Sequence, residues 1–550
     1  MSRAVPARSE ALGPGDRLAT PPPSSSANLR RCRRASGRRV LVAVTCVGAA
    51  LAGSSGALGG ESSSQEPPIA TFSEALEVTT REVVIDLEGA QRPDPRALAL
   101  AVGGREQTVE SVRPLVAGEW NVLVYVDVPL SDHGTVLAAS EALAGEAETL
   151  ANLGNVRLVV ADPAPVERVA STREALRLRE ELAAVGREMG PHEVVAMRAE
   201  FRRALAIDPE MAAAYAPLRA ASEVELVRRQ LERLLGVAAE GCAGPPCALL
   251  LVADGFDERP ADFYLRSAAR RPGGAAGAED LQPPSERLSS HLAALGWTVL
   301  FLPLRERGAN VHRADASDSD DQRWRESALR PGDGIRLPAR PRIPPSAVSA
   351  IDDALELLLL PLGAPLRLAA EETGGAATRD PARLRPALEA LAQRSLVSFQ
   401  ATWPATYGLL PLSLRARGAS GDLRAPRWAL AGDTPELVAA RLRRLFDTPE
   451  EEPVAGLAMR WVERRGPELA VATLQVSLPP EAFAGSRPSS WELATLDEHG
   501  RLSLVAAGEP RRLEGNRWLL ELQLPDDARH LGVLVRAGAE AFGATVGAPP

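Results

Sequence analysis

The sequence predicts an α/β protein: a doubly wound sheet with helical insertions, a β-rich lead-in before it and a small β-sandwich after it. Three observations carry this. The chain has 550 residues, too many for one core, with 45% hydrophobic and 25% charged residues, a globular balance. Between 121 and 403, continuous apolar strands alternate with helical patterns, as in a sheet buried on both faces. After 453, short alternating strands are separated by turn signals.

Residues 1–60 read as a disordered N-terminus followed by an export signal. The first 28 residues are rich in Pro, Ser and Gly. A basic cluster, LRRCRRASGRR, ends at Arg39 and an apolar run, VLVAVTCVGAALA, fills 40–52. It closes on Ala50-Leu51-Ala52, a small-x-small site suited to signal peptidase. Thirteen apolar residues are short for a span, so the reading is a cleaved signal, with an uncleaved membrane anchor as the alternative. Either places the chain outside the cytoplasm: periplasm, cell envelope or extracellular space.

Residues 69–118 form the β-rich lead-in, with TREVVIDLEG and LALAVGGREQTVESV turning at Gly103-Gly104. NVLVYVD (121–127) and VRLVVAD (156–162) are buried strands, separated by a helix carrying Val136, Leu143, Ala147 and Leu150 on one face. A helix opens over 172–182. Residues 190–236 are a helical insertion, and FRRALAIDPEMAAAY within it looks like half of a tetratricopeptide repeat. CALLLVADG (247–255) and WTVLFLPL (297–304) are strands flanking a helix at 286–296. A polar, Pro- and Asp-rich loop covers 305–348, then come helices at 350–359 and 381–395 and a strand, LVSFQATW. The domain 119–403 is thus interrupted near 187–240 and 305–348, a connecting segment spans 404–452, and the sandwich occupies 453–550.

Composition excludes much chemistry. All 63 basic residues are arginine, so no P-loop, kinase or pyridoxal lysine exists. Residues 1–60 carry nine Arg and two acids; removing their +7 from the chain's −9 leaves −16 for the rest. That surface disfavours nucleic acid. Cys32 and Cys46 fall in the signal segment. Cys242 and Cys247, in GCAGPPC, can close a disulfide in an oxidising compartment or stay as reduced buried thiols. His192-Glu193 starts an H-E-x-x-H that Ala196 breaks, and no nucleophile elbow or dinucleotide loop is present. Asp315, Asp318, Asp320 and Asp321 form an acidic loop without EF-hand spacing.

NVLVYVDVPLS, ALLLVADGFDERP and LRLAAEETGGAATRDPARLRPALEALAQRSLVSFQATWP together resemble the von Willebrand factor A domain of bacterial exported proteins, over about residues 70 to 430. The resemblance implies a metal-ion-dependent adhesion site, D-x-S-x-S plus a Thr and an Asp from two further loops. Asp127 and Ser131 match the first loop, Thr172 and Asp254 the others, and Pro129 replaces the middle serine. The implied cofactor is Mg²⁺ or Mn²⁺, and proline offers it no side-chain oxygen. The expected function is protein–protein interaction of the adhesion type at the cell envelope, without catalysis. The alternative is a metal-free scaffold that binds protein partners through its helical insertion.

Overall fold

The computed structural model describes residues 40–41, 77–87, 94–188, 193–242, 244–268, 281–304, 362–402, 408–417, 423–447, 458–465, 470–478, 488, 490–498, 500–513, 516–525, 527–537 and 540–547. Except for β1 (Val40–Leu41), the export segment lies outside these residues, as do the 305–348 loop and the 350–359 helix. Among the described residues no helix is long and apolar enough to cross a membrane.

The protein is mixed α/β. Its central sheet contains β5 (Trp120–Asp127), β6 (Gly154–Ala161), β7 (Pro165–Thr172), β8 (Cys247–Val252), β9 (Trp297–Phe301) and β10 (Ala376–Ala377). The spatial order is β10-β9-β8-β5-β6-β7. Every neighbouring pair is parallel except β6–β7. The chain runs outward through β5, β6 and β7, then returns to place β8 beside β5. That reversal is a topological switch point.

Both faces are covered, which explains why β8 is apolar and buried at every position. Alternation along β5 sends Val122, Val124 and Val126 to one side and Leu123 and Tyr125 to the other. On the first side lie α1 (His133–Gly145), α2 (Ala147–Leu153), α3 (Ala175–Glu188) and α9 (Leu384–Ala392), through Val136, Leu143, Leu178, Leu182 and Leu388. On the second lie α5 (Pro209–Gly241), α7 (Gln282–Ala294), α8 (Ala364–Glu372) and α10 (Pro435–Asp447). α5 contributes Val227, Leu231, Leu234 and Ala238. Each of its larger buried side chains is worth about 1.5–3 kcal/mol. Where α10 crosses α5, Gly236 permits the approach: a Cβ there would sit 2.6 Å from the Ala440 carbonyl oxygen.

The predicted helical insertion therefore divides. α4 (Glu193–Ile207) and the first half of α5 form a hairpin beside α6 (Pro260–Ala268), while the second half of α5 is core of the sheet.

The lead-in strands β2 (Glu77–Leu87), β3 (Leu98–Val102) and β4 (Arg105–Pro114) are not closed among themselves. β11 (Ser395–Thr402) inserts between β2 and β4, antiparallel to both. This corrects the assignment of LVSFQATW to the central sheet. The cause is one-sided burial over its second half: Phe399 and Ala401 face the core while Gln400 faces water, although Leu396 nearer its start is buried on the other face. The predicted connecting segment supplies β12 (Leu409–Ala416), β13 (Leu423–Arg424) and β14 (Trp428–Leu430) to this lead-in sheet, and also α10.

The C-terminal part has two antiparallel four-stranded sheets. One orders β15 (Ala458–Arg465), β16 (Ala470–Ser477), β20 (Arg517–Leu524) and β19 (Arg511–Arg512). The other orders β18 (Leu502–Leu504), β17 (Ser490–Asp497), β21 (Ala528–Ala537) and β22 (Glu540–Gly547). Leu474, Val476, Leu520 and Leu522 from the first share a core with Leu493, Val533 and Val535 from the second.

Candidate functional site

The carboxyl ends of β5 and β8 flank the switch point, where open α/β sheets bind ligands. Asp127 ends β5, opposite Ala161 of β6. Asp254 lies two residues past β8. The turn between β5 and α1 is built on Pro129, whose ring fixes φ. Leu130 N–H donates to Asp127 Oδ1 at 3.1 Å, and the Ser131 hydroxyl donates to the Asp127 main-chain carbonyl. Ser131 N–H closes the turn on the Val128 carbonyl at 3.0 Å.

Asp254 clamps this turn from the other strand. Its N–H donates to the Leu130 carbonyl at 3.0 Å. Oδ2 accepts from Asp132 N–H at 2.5 Å and Oδ1 accepts from the Thr135 hydroxyl at 2.8 Å. Those donors are the N-cap residue of α1 and a side chain of its first turn, where the helix dipole favours an anion. Asp132 caps the same helix by accepting from Gly134 N–H at 3.1 Å. The next residue, Gly255, has φ +106°, and a Cβ there would sit 2.1 Å from the Leu362 carbonyl oxygen.

Asp127 follows Tyr125 onto the α5 side of the sheet and is buried. Burial pushes its carboxyl up to about 7, with the Leu130 N–H and Arg233 pulling it down and Glu193 pushing it up. Arg233 on α5 is held by Asp447 of α10 through two contacts at 3.0 and 3.1 Å. The Tyr125 hydroxyl is buried without a hydrogen-bond partner among the described residues, and burial with the nearby Asp127 raises its ionisation well above the usual tyrosine range.

Of the four predicted ligands, Asp127, Ser131 and Asp254 come together. Thr172 does not. β7 runs antiparallel, so Thr172 pairs with Val156, which pairs with Val122. Five residues at ~3.3 Å each separate that level from Asp127, about 16 Å. Its hydroxyl accepts from Glu174 N–H instead. Sequence reading placed Thr172 at the start of a helix; it ends an edge strand. The threonine that does reach the site is Thr135, missed although it lies one helical turn past the cap at Asp132.

This donor set does not fit an octahedral Mg²⁺ or Mn²⁺. Such an ion needs several oxygens with accessible lone pairs. Both Asp254 oxygens are engaged, Pro129 supplies none, Thr172 is at the other end, and Asp127 is buried with a raised carboxyl pKa. Among the described residues no three His, Cys, Asp or Glu side chains group to hold a metal. His192 and the acidic 315–321 loop lie outside the described residues.

Cys242 and Cys247 form a disulfide, with Cα atoms 5.9 Å apart, closing the turn from α5 into β8. A hydroxyl–imidazole pair, Thr434 and His291 Nε2 at 2.6 Å, is buried between α7 and α10, where Thr434 also caps α10 through Leu437 N–H. It docks two helices, and its burial denies it to a substrate.

The hairpin of α4 and α5 presents a different feature. Ala212, Ala216 and Ala220 pack on Phe201 and Tyr264. Arg198 makes a two-pronged contact with buried Glu223, which also accepts from the Tyr264 hydroxyl at 2.8 Å. On the outer side Ile207, Met211, Tyr215 and Leu218 are 84%, 58%, 55% and 62% exposed. Comparison of the chain with known protein families and with curated proteins finds no match.

Proposed function

We propose that the chain is a non-catalytic, metal-free protein-binding module of the extracytoplasmic space, built on a von Willebrand A-like sheet and docking through the α4–α5 hairpin. The observation that carries this reading is the row of four large apolar side chains left in water on that hairpin. Scattered apolar residues on a surface are ordinary, whereas a contiguous exposed ridge marks an interaction site.

Other observations support it. The strand order, with parallel neighbours and one antiparallel edge, is that of doubly wound domains and favours the A-like reading. Asp254 is used to clamp β8 to the start of α1 and Asp127 to hold the Leu130 N–H of the β5–α1 turn, which favours the metal-free alternative over metal-dependent adhesion. The disulfide favours an oxidising compartment.

A photo-crosslinking amino acid at Tyr215 tests this. Crosslinks to protein in envelope fractions are expected, and Met211→Glu should abolish them. Crosslinking indifferent to Met211→Glu, or partner capture that needs Mg²⁺ and Asp127, would overturn the proposal.

A further inference from the structure

The exposed residues of the hairpin fall at intervals of four, four and three, so Met211, Tyr215 and Leu218 form one ridge of α5, with Ile207 continuing it at the end of α4. The opposite face of α5 is fully used by Phe201 and Tyr264. The Arg198–Glu223 contact fixes the hairpin against α6, so it cannot roll to hide the ridge. In helical repeats a hairpin covers its outer face by stacking on a like hairpin.

Charge narrows the choice of occupant. Residues 193–222 carry four arginines (198, 202, 203, 219) and four acids (193, 200, 208, 210), a net of zero. Residues 61–550 carry −16 in total. Two copies of the chain therefore carry like net charge, and this hairpin is neutral ground. A strongly basic or acidic partner would gain nothing here.

The ridge is also self-complementary. Met211 and Leu218 lie equally far from the midpoint between Ala214 and Tyr215. In an antiparallel twofold pairing about that midpoint, Met211 of one copy meets Leu218 of the other, and the two Tyr215 rings lie beside the axis. Asp208 and Arg219 then come to the same side of the seam at nearly the same level, within reach of the arginine side chain. Among the described residues Arg219 pairs with an exposed Glu200 at 3.4 Å, a pair of little energetic weight. Closed twofold pairing is also the commonest way for identical chains to associate.

We infer that the exposed face of the hairpin is a twofold interface between two copies of this chain, an inference that rests on the reading of the hairpin as the docking surface. Sedimentation of the full chain should show a monomer–dimer equilibrium. Met211→Glu and Leu218→Glu should each weaken it by on the order of a hundredfold or more, because each buries a carboxylate without a partner. Both positions are exposed in the single chain, so circular dichroism should be unchanged. Register has its own readout: a short bismaleimide should join Met211→Cys chains to Leu218→Cys chains better than either to itself.

A chain that stays monomeric at all concentrations, a dimer that survives both glutamate variants, or preferred Met211→Cys self-crosslinking would overturn the inference. If the chain is monomeric but the Tyr215 probe still captures another protein in a Met211-dependent way, the dimer falls and the docking reading stands. If the probe captures nothing, both fall.

Discussion

Asp127→Asn separates a buried neutral carboxyl from a metal ligand. The unfolded Asp127 ionises near its ordinary 3.8 and the folded one near about 7. Below both values the group is protonated in both states and costs nothing. As pH rises between them, only the unfolded state ionises, and stability falls. Above about 7 both states are charged and the full cost of burying the carboxylate is present. The interval corresponds to about 4 kcal/mol at most, at 1.36 kcal/mol per pH unit. Asparagine keeps an oxygen for the Leu130 N–H and carries no charge. The variant should therefore match the wild type in urea unfolding near pH 3.5 and exceed it by up to about 4 kcal/mol at pH 8. The assay is the urea midpoint across that range, with and without Mg²⁺. A variant less stable than wild type at pH 8, above all with Mg²⁺ present, would refute the reasoning by showing that the charge is used.

Three further outcomes are expected. Thr135→Val removes one hydroxyl from a buried Asp254 and should cost about 1–3 kcal/mol in thermal unfolding, whereas Thr172→Val at the far end should stay within about 0.5 kcal/mol. Leu234→Ala, in the core half of α5, should cost about 2–5 kcal/mol, and Leu218→Ala, on its exposed half, under about 0.5; equal costs would contradict the division of that helix. Glu223→Ala removes the buried carboxylate shared by Arg198 and the Tyr264 hydroxyl, leaving Arg198 its 3.3 Å contact with Asp257, and should cost about 1–3 kcal/mol, and a melting temperature unchanged by it would show that the hairpin is not pinned there.

Much of the central sheet was legible from its buried strands. NVLVYVD and CALLLVADG are apolar at nearly every position because helices cover both faces; Asp127 ends its strand as read, whereas β8 stops at Val252 and Asp254 lies two residues past it. β7 was not legible. PVERVAST mixes Glu167 and Arg168 into an edge strand with one open side, so it lacks both a continuous run and clean alternation. Missing it put Thr172 on the wrong end of the sheet, since an antiparallel strand delivers its last residue to the opposite edge. β11 shows the reverse case. Its alternation of Val397, Phe399 and Ala401 with polar residues was visible, but adjacency in the chain drew it to the central sheet, although its partners lie some 280 to 320 residues earlier.

The site was half legible for a related reason. A carboxylate at a strand end reads the same whether it faces a cation or the first turn of a helix. Only the positions of the Asp132 N–H and the Thr135 hydroxyl decide, and those depend on how the 128–132 turn folds around Pro129. The α4–α5 hairpin was visible as helical, yet the sequence pattern alone did not separate the buried half of α5 from its exposed half.

The most direct measurement compares two variants side by side for crosslinked partner capture in envelope fractions, with and without EDTA. Leu218→Glu is expected to lose capture while Asp127→Asn retains it, and EDTA should change neither. Capture lost with Asp127→Asn and EDTA but kept with Leu218→Glu would contradict a hairpin-borne interface and return the binding surface to the strand ends.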